Sequence, residues 1–460
     1  MKKLGVVITD GVGYRNFVMS DFLHEAASSF DAVTLYSGLP TTALEAHILP
    51  NVTVFELPVY KESIRTWIYR KLKEIAHLQQ HKAKTYGIND NLKHSKSKRF
   101  TKRGILNNLI HFIAALWHSE NAIHTYERWQ FRSFKNHRVT KHYLKLLKED
   151  KPDLLFFTHQ RPPFLAPMLS MAKTAKIPTT SFIFSWDNLA SKGRMLGEFD
   201  NYLVWSNLMK EELIQFYPKT NVKSIRIVGT PQFEPYVLDR YSVSRNEFFE
   251  KFELDVNKKI ICYSCADSSI GQNDETHIRA LWSFIEQYDN LQLLIRTSPA
   301  EDGQRFKALK SDLPRLKWNI PKWSQTRTNH AESWSQRLPS EEDVLDLKAI
   351  LSFSDVNVNM LSTMSLDFML FDKPVINTVF GNESNGLYND QRFLNYKHYK
   401  HVIDSKSVTI AKNESELHQQ LEEALNQPDK RAQYRKDILQ LEIGAPLKGT
   451  SKRLVKALLD

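Results

Sequence analysis

The chain has 460 residues, of which 42% are hydrophobic and 25% are charged. This length exceeds what one hydrophobic core usually supports, so we expect two globular domains of roughly 200 residues each. No apolar run approaches the ~20 residues that span a bilayer, which argues against a transmembrane helix. The formal net charge is +11, but residues 61–151 carry 21 Lys or Arg against 7 Asp or Glu, a net of +14 that leaves −3 for the rest.

Short apolar segments alternate with helix-like stretches along the chain, a pattern typical of parallel β/α units. The expected strands of the first half are LGVVITDG, AVTLYSG, VTVFELP, LLFFTH, TTSFIFSW, YLVWS and IRIVGT. A second series begins near residue 258 with KIICYSCAD and continues through LQLLIRTS, RLKWNI, DVNVNM, PVINTVF and HVID. We therefore predict an α/β protein with two doubly wound Rossmann-like domains, whose ligands bind at the carboxyl ends of the strands.

The segment 229–241, GTPQFEPYVLDRY, separates the two series and contains two prolines. It predicts a domain boundary. We expect an N-terminal domain over 1–230 and a C-terminal domain over 231–435. Cys262 and Cys265 are the only cysteines, and this sparse use fits a cytoplasmic protein with structural rather than redox-active thiols.

Polar residues follow the first expected strand in ITDGVGYRNF. Asp10 is a candidate general base for an acceptor hydroxyl, or else the cap of the next helix. Arg15 and Asn16 are candidate contacts of the acceptor or the sugar. Gly11 and Gly13 allow a tight turn at this point.

A basic helical insertion is expected at about 61–150, where IRTWIYRKLKEIAHL precedes KHSKSKRF and the apolar GILNNLIHFIAALWH. Helices with basic flanks and aromatic residues can lie on an anionic membrane surface, which would bring a lipid-linked acceptor to the protein. A solvated insertion that packs on the N-terminal sheet is an equally weighted alternative. No nucleic-acid-binding module accompanies the charge, so we expect no nucleic-acid partner.

Two further N-terminal loops carry candidate catalytic residues. His159 follows LLFFTH, and imidazole suits proton transfer near neutral pH, although a single loop histidine is more often a bystander. In FIFSWDNLASKG, Asp187 is a candidate base or sugar ligand, and Trp186 and Asn188 are candidate sugar contacts. Hydrogen bonds that merely organise this loop are the alternative for Asp187 and Asn188.

The segment SDVNVNMLSTMSLDFMLFDKPVI predicts a strand, a tight turn, a helix and a strand. Ser362 and Thr363 lie at the predicted helix start, where backbone N–H groups and hydroxyls suit a diphosphate. Asp367 lies one helical turn further and could accept from ribose hydroxyls. An ordinary helix cap followed by a favourably placed acid is the alternative.

Another candidate phosphate site follows LQLLIRTS, where Arg296 could clamp phosphate oxygens beside Ser298. Pairing of Arg296 with Glu301 or Asp302 is the alternative. Neither a P-loop nor a GxGxxG motif occurs, which argues against a kinase or a dehydrogenase.

Six segments together resemble bacterial GT-B glycosyltransferases of surface-polysaccharide synthesis, relatives of the CDP-glycerol glycerophosphotransferases and UDP-GlcNAc 2-epimerases. They are GYRNF, FSWDNLASKG, YLVWSNLMKEEL, IVGTPQFEPY, LLIRTSP and SDVNVNMLSTMSLDFMLFDKPVI, which cover both expected domains in order. The resemblance implies that a cleft separates an acceptor-binding domain over 1–230 from a nucleotide-sugar-binding domain over 231–435. It also implies that a final helix within 436–460 crosses back to the N-terminal domain. It implies a donor diphosphate near Ser362 and Thr363, a ribose near Asp367, and no metal or other cofactor. Ser298 departs from the relatives, which often carry histidine there.

We therefore expect a glycosyltransferase that moves a sugar from a UDP-sugar to a lipid-linked or polysaccharide acceptor. It would act in the cytoplasm, with peripheral binding to the inner face of the plasma membrane as one option. Alternatives are a polyol-phosphate transferase with a CDP donor, an isomerase of the 2-epimerase type and a non-catalytic assembly protein.

Overall fold

The structure is a computed structural model that describes residues 2–268, 270–328, 333–381 and 391–460. The chain divides into two compact units. The first unit comprises Met1–Glu234, Gln325–Gln336 and Gly444–Asp460, and the second comprises Pro235–Ser324 and Arg337–Ile443. Nothing in the sequence indicated that residues 325–336 belong to the first unit.

A seven-stranded parallel sheet forms the centre of the first unit, and each strand expected in the first half of the chain lies in it. The strands are β1 (Lys3–Ile8), β2 (Ala32–Ser37), β3 (Val52–Glu56), β4 (Leu154–Phe157), β5 (Thr179–Phe182), β6 (Asn201–Val204) and β7 (Ile225–Ile227). Their order is β3-β2-β1-β4-β5-β6-β7, so β1 and β4 are neighbours although some 150 residues separate them. The loops after β1 and β4 consequently begin side by side at the carboxyl edge of the sheet.

Helices flank this sheet and fill the basic segment after β3. They are α1 (Gly11–Phe17), α2 (Phe22–Ser29), α3 (Ile64–His81), α4 (Tyr86–His94), α5 (Lys102–Leu116), α6 (Glu120–Phe134), α7 (Arg138–Asp150), α8 (Ala166–Ala175), α9 (Asn188–Ser191) and α10 (Asn207–Phe216). Ser63, Thr85, Thr101 and Ser119 cap α3 to α6, each accepting a backbone N–H three residues on. These local signals define the helix starts in the insertion.

The C-terminal segment of the chain packs in the first unit. Gly444 has φ +71°, and a Cβ atom there would lie 2.8 Å from the Ser206 side chain, so glycine fits both the backbone and the space. The Ser451 backbone N–H donates to Glu234 at 2.9 Å, and Arg453 donates to the Val228 carbonyl.

A six-stranded parallel sheet forms the second unit, in the order β10-β9-β8-β13-β14-β15. Its strands are β8 (Lys259–Ser264), β9 (Leu291–Arg296), β10 (Lys317–Asn319), β13 (Val356–Asn359), β14 (Val375–Thr378) and β15 (Thr409–Ala411), and β11 (Trp323–Gln325) pairs separately with β12 (Arg337–Pro339). The described helices after residue 240 are α11 (Arg245–Lys251), α12 (Asp274–Ile285), α13 (Lys307–Asp312), α14 (Glu341–Phe353), α15 (Met364–Met369), α16 (Lys397–Asp404), α17 (Glu414–Asn426), α18 (Ala432–Glu442) and, in the first unit, α19 (Thr450–Leu459).

The expected strand HVID is wrong, because these residues end α16. Tyr399 and Val402 are buried at a spacing of three, which places both on one helical face. The sixth strand is β15, a short segment that the sequence did not indicate.

Candidate functional site

A buried, hydrogen-bonded Asp–His pair joins the loops that follow β1 and β4. His159 Nδ1 lies 3.2 Å from Asp10 Oδ2, and Asp10 also accepts from the Thr9 hydroxyl and from the Gly13 N–H. Asp10 is wholly buried and His159 is 6% exposed. The imidazole stacks on Phe184 with a centroid distance of 3.9 Å. Asp10 therefore caps α1 and also orients His159.

The protonation of this pair follows from its surroundings. Burial would raise the pKa of Asp10, but the hydrogen bond and charge of His159 hold it below the ordinary value. Burial lowers the pKa of His159, an effect that Asp10 and the more distant Asp187 partly oppose. Near neutral pH we therefore expect a carboxylate beside a neutral imidazole. Because a carboxylate can only accept, Nδ1 carries the proton and Nε2 has the lone pair that a general base requires.

Asn16 lies in α1 and is only 1% exposed. Neither its amide oxygen nor its amide nitrogen has a hydrogen-bond partner in the described part of the chain. Buried side-chain amides are usually paired, so this one is unusual. Arg15, the neighbouring predicted contact, is half-buried.

The SWDN loop after β5 is organised by its own hydrogen bonds. Asp187 Oδ1 accepts from the Ser185 hydroxyl at 2.7 Å and from the Asn188 amide at 2.9 Å, and Lys192 lies 3.2 Å from Oδ2. Gln160 donates to Asn188 and thereby ties this loop to the loop of His159. These bonds support the loop-organising alternative for Asp187 and Asn188. Trp186 is 5% exposed, which argues against its predicted stacking on a sugar ring.

The predicted turn between β13 and α15 is present in the second unit. Leu361 has φ +48°, and Asn359 Oδ1 accepts the Ser362 N–H at 2.9 Å. Thr363 is the N-cap of α15, but its side chain makes no capping bond. The Ser362 hydroxyl oxygen accepts the Met364 N–H at 3.0 Å. Both residues are partly exposed at the carboxyl end of the sheet.

Asp367, the predicted ribose contact, is held by a contact within the second unit. It is 4% exposed, and its carboxylate accepts from the Tyr236 hydroxyl. This contact fixes the segment after residue 234 and argues against a ribose contact.

A network of buried amides supports the turn from below, and sequence reasoning missed it. Asn357 donates to Ser264, Asn359 donates to Asn357 at 2.7 Å, and Asn377 donates to Asn359 at 3.1 Å. Tyr399 donates to Asn377 and so closes the network. The alternation in VNVN was a signal, since polar residues are unusual inside a buried parallel strand.

Arg296 also differs from both of its predicted roles. Its guanidinium donates to Asn319 and to Asp343, the latter at 3.0 Å, and both ends of this ion pair are 4% exposed. The alternative pairing with Glu301 or Asp302 is wrong, because Arg296 pairs with Asp343 and Glu301 pairs with Arg305. The burial and pairing of Arg296 argue against a phosphate clamp. Ser298 is 8% exposed, and its hydroxyl accepts the Ala300 N–H.

The described residues contain neither a metal-binding cluster nor a helix that could span a membrane. Groups of three or more His, Cys, Asp or Glu side chains that could hold a metal ion do not occur there. Among the described helices, none has both the length and the apolar character needed to cross a bilayer.

Two sheets of this order and a C-terminal segment that returns to the first unit define the GT-B class of fold, and solved structures agree. UDP-bound MnaA of S. aureus matches with a TM-score of 0.54 at 11% identity, over 99% of this chain and 95% of that one. The UDP-GlcNAc 2-epimerase of Neisseria meningitidis, bound to UDP-GlcNAc, matches with a TM-score of 0.51 at 11% identity, over 100% of both chains. A glycosyltransferase from Rickettsia africae matches with a TM-score of 0.52 at 12% identity, over 100% of this chain and 99% of that one.

At these identities the matches establish the fold alone. No family model matches the chain, and no curated protein matches its sequence. The fold that was predicted, GT-B with two Rossmann-like sheets, is confirmed.

Proposed function

We propose that this protein is a glycosyltransferase that moves a sugar from a UDP-sugar to a lipid-linked or polysaccharide acceptor in the cytoplasm. The observation that carries the proposal is the buried Asp10–His159 pair at the carboxyl ends of β1 and β4. Such a pair holds one imidazole nitrogen protonated and the other ready to take a proton. A sugar hydroxyl becomes a better nucleophile when a positioned base removes its proton as the new bond forms.

In this proposal His159 is the general base and Asp10 is its positioning residue. Nε2 takes the proton of the acceptor hydroxyl, and the carboxylate of Asp10 stabilises the imidazolium that results. The unpaired amide of Asn16 supports its assignment as an acceptor contact. Arg15 is kept as a second proposed acceptor contact because it is the neighbouring residue in α1. Asp187 contributes its negative charge to the surroundings of His159.

The second unit binds the donor in this proposal, at the turn that contains Ser362 and Thr363. The Ser362 oxygen accepts the Met364 N–H, so its own hydroxyl proton can donate to a phosphate oxygen. The Thr363 side chain is not used as a cap and can do the same. Dipoles fixed in this way would stabilise the departing diphosphate, and we propose that transfer needs no metal ion.

The test compares His159→Ala with His24→Ala, an exposed histidine of the same unit. UDP release from candidate UDP-sugars is measured with an acceptor-containing membrane extract, and donor binding is measured by calorimetry. We expect His159→Ala to reduce turnover at least ~100-fold with donor affinity unchanged, and His24→Ala to have no effect. Addition of EDTA should leave the wild-type rate unchanged.

Three outcomes would replace this proposal. Conversion of free UDP-GlcNAc without an acceptor, followed by NMR, would establish an epimerase. Thermal stabilisation by CDP but not UDP would favour transfer of a polyol phosphate. Full turnover by both His159→Ala and Asp10→Ala would reject the base assignment, whereas no turnover of any sugar nucleotide by the wild type would favour a non-catalytic protein.

A further inference from the structure

Helix α5 presents a continuous apolar stripe to solvent. Ile105, Leu109, Phe112 and Leu116 are 62%, 51%, 63% and 65% exposed. With ~100° of rotation per residue, these four side chains lie within an arc of about 60°. An isolated exposed leucine needs no explanation, but a stripe of this length on one helical face marks an interaction surface.

The remainder of α5 is firmly attached to the first unit, so the stripe is a fixed surface. Ile110, His111 and Ala114 are buried on the opposite face. Asn107 donates to the Ser95 carbonyl at 2.9 Å near the start of the helix. At its end, the Tyr126 hydroxyl donates to the Trp117 carbonyl at 3.1 Å. The helix therefore cannot simply rotate to bury its apolar face.

Two more exposed aromatic side chains extend the stripe at its ends. Phe100, just before α5, is fully exposed, and Trp117, just after it, is 65% exposed. Tryptophan is enriched at the boundary between lipid headgroups and acyl chains. An apolar helix face with aromatic residues at its ends is typical of helices that lie in the plane of a membrane surface.

The charge around the stripe has one sign. Between Asp90 and Glu120 the sequence contains no acidic residue and six basic ones. All six are exposed, and they lie in the loop before α5 or in its first turn and at the end of α4: Lys93, Lys96, Lys98, Arg99, Lys102 and Arg103. A second copy of this surface would bring like charges together, whereas an anionic lipid surface complements them.

We propose that the α5 surface, defined by its apolar stripe and these six basic residues, docks on an anionic membrane. The apolar side chains would enter the boundary between headgroups and acyl chains, and the basic side chains would contact lipid phosphates. The surface is separate from the Asp10–His159 pair, so docking does not require the proposed function to be correct.

A basic cavity connects this surface with the proposed acceptor side, and this step does rest on the proposed function. The cavity has a volume of about 780 Å³ and is lined in part by Lys102, Arg103 and Leu106 of α5. Pro163 and Phe164, from the loop that carries His159, line it as well. A docked α5 would therefore bring the headgroup of a lipid-linked acceptor close to that loop.

Flotation with vesicles of phosphatidylcholine, with or without phosphatidylglycerol, tests the docking. We expect the full-length protein to float with the anionic vesicles only, and to be released at high salt. The triple variant Ile105→Ser/Leu109→Ser/Phe112→Ser should bind at least tenfold more weakly. The matched control Val222→Ser/Val256→Ser changes two valines that are 48% and 49% exposed elsewhere, and it should bind like the wild type.

Charge variants test the second half of the surface. Each of Lys98→Gln, Arg99→Gln and Lys102→Gln should weaken vesicle binding about fivefold. Lys145→Gln, at a side chain that is 73% exposed in α7, should have little effect. Because all the changed side chains are exposed, melting temperatures should stay within a few degrees and distinguish lost docking from lost folding.

Three results would overturn the proposal. The first is no flotation even at low salt, and the second is flotation that the triple variant leaves unchanged. The third is a concentration-dependent dimer in ultracentrifugation that the triple variant abolishes, which would identify a second copy as the occupant. A protein that floats as expected but has no transferase activity would retain the docking surface and reject the proposed function.

Discussion

Removing one partner or the other of the buried Arg296–Asp343 pair should lower the local stability by unequal amounts. The reason is that each partner has a different hydrogen bond left when the other is removed. In Asp343→Ala, the guanidinium of Arg296 remains buried and keeps Asn319 as a partner, but it loses the carboxylate that neutralises its charge. In Arg296→Met, Asp343 still accepts from Trp323 Nε1 at 2.8 Å and lies in the first turn of α14, where a negative charge is favourable.

The magnitudes follow from these contacts. An uncompensated buried charge costs about 3–5 kcal/mol, so Asp343→Ala should lower the local stability by that amount. Arg296→Met keeps one charge-assisted hydrogen bond and the favourable helix position, and should cost only about 1–3 kcal/mol. The double variant Arg296→Met/Asp343→Leu removes both charges and should lie close to the wild type.

Hydrogen exchange of the full-length protein, measured on the amides of β9 and α14, reports the local opening free energy of these segments. Calorimetry with UDP is run on the same variants. If Arg296→Met weakens UDP binding tenfold or more while exchange in β9 and α14 stays unchanged, the guanidinium is a phosphate ligand. The structural assignment of the pair would then be refuted.

Three other predictions concern protonation and backbone geometry. Because the pKa of His159 is lowered, the transfer rate should stay constant as the pH falls to about 6.5 and should decline only below that pH. The variant Asp10→Asn lacks the charge that raises the pKa of His159, so its rate should decline at a still lower pH. Burial lowers the pKa of His277 to about 4, so the unfolded chain binds this proton at a higher pH than the folded protein does. The free energy of unfolding of the wild type, relative to that of His277→Gln, should therefore drop by about 3 kcal/mol between pH 6.5 and 4. A difference that stays constant over this range would contradict this. Gly444→Ala should lower the free energy of unfolding by more than ~2 kcal/mol and Gly449→Ala by about 1 kcal/mol. Both glycines have positive φ, but only at Gly444 would a Cβ atom clash with a neighbouring side chain. Equal melting temperatures of the two variants would contradict this clash.

Strands could be predicted from the sequence where a buried apolar run carries most of the local information. All seven strands of the first sheet were predicted, because segments such as LLFF are too short and apolar for a surface helix. HVID was wrongly predicted as a strand, because Val402 is buried on the same helical face as Tyr399 and a window of four residues does not contain that spacing. The place of segment 325–336 in the first unit was not predicted, because its contacts join residues far apart in the chain. One example is the hydrogen bond from Arg327 to the Gly38 carbonyl.

Candidate residues could be located from the sequence more readily than their partners. The adjacency of β1 and β4 depends on strand order, so the pairing of Asp10 with His159 was not visible when each was considered alone. Arg296 was correctly placed at a strand end, but Asp343, its partner, is 47 residues away and no local pattern connects them. A charged residue at the carboxyl end of a strand can therefore be a ligand contact or a structural ion pair, and its exposure distinguishes the two.

The distribution of cations leads to a last prediction, about salt. In the second unit Arg296 is paired with Asp343, and Arg305 is paired with Asp274 and Glu301. With these two guanidinium groups paired, the proposed donor site at the 362–363 turn would hold a diphosphate through hydroxyl and backbone N–H dipoles, whose short-range contacts are screened little by salt. The basic residues before and at the start of α5 are exposed, so their attraction to a lipid surface acts through solvent and is screened strongly. We expect UDP affinity to change less than about threefold between low and high salt, while vesicle binding falls by more than tenfold. A steep salt dependence of UDP binding would place unpaired cations at the donor site and contradict this division.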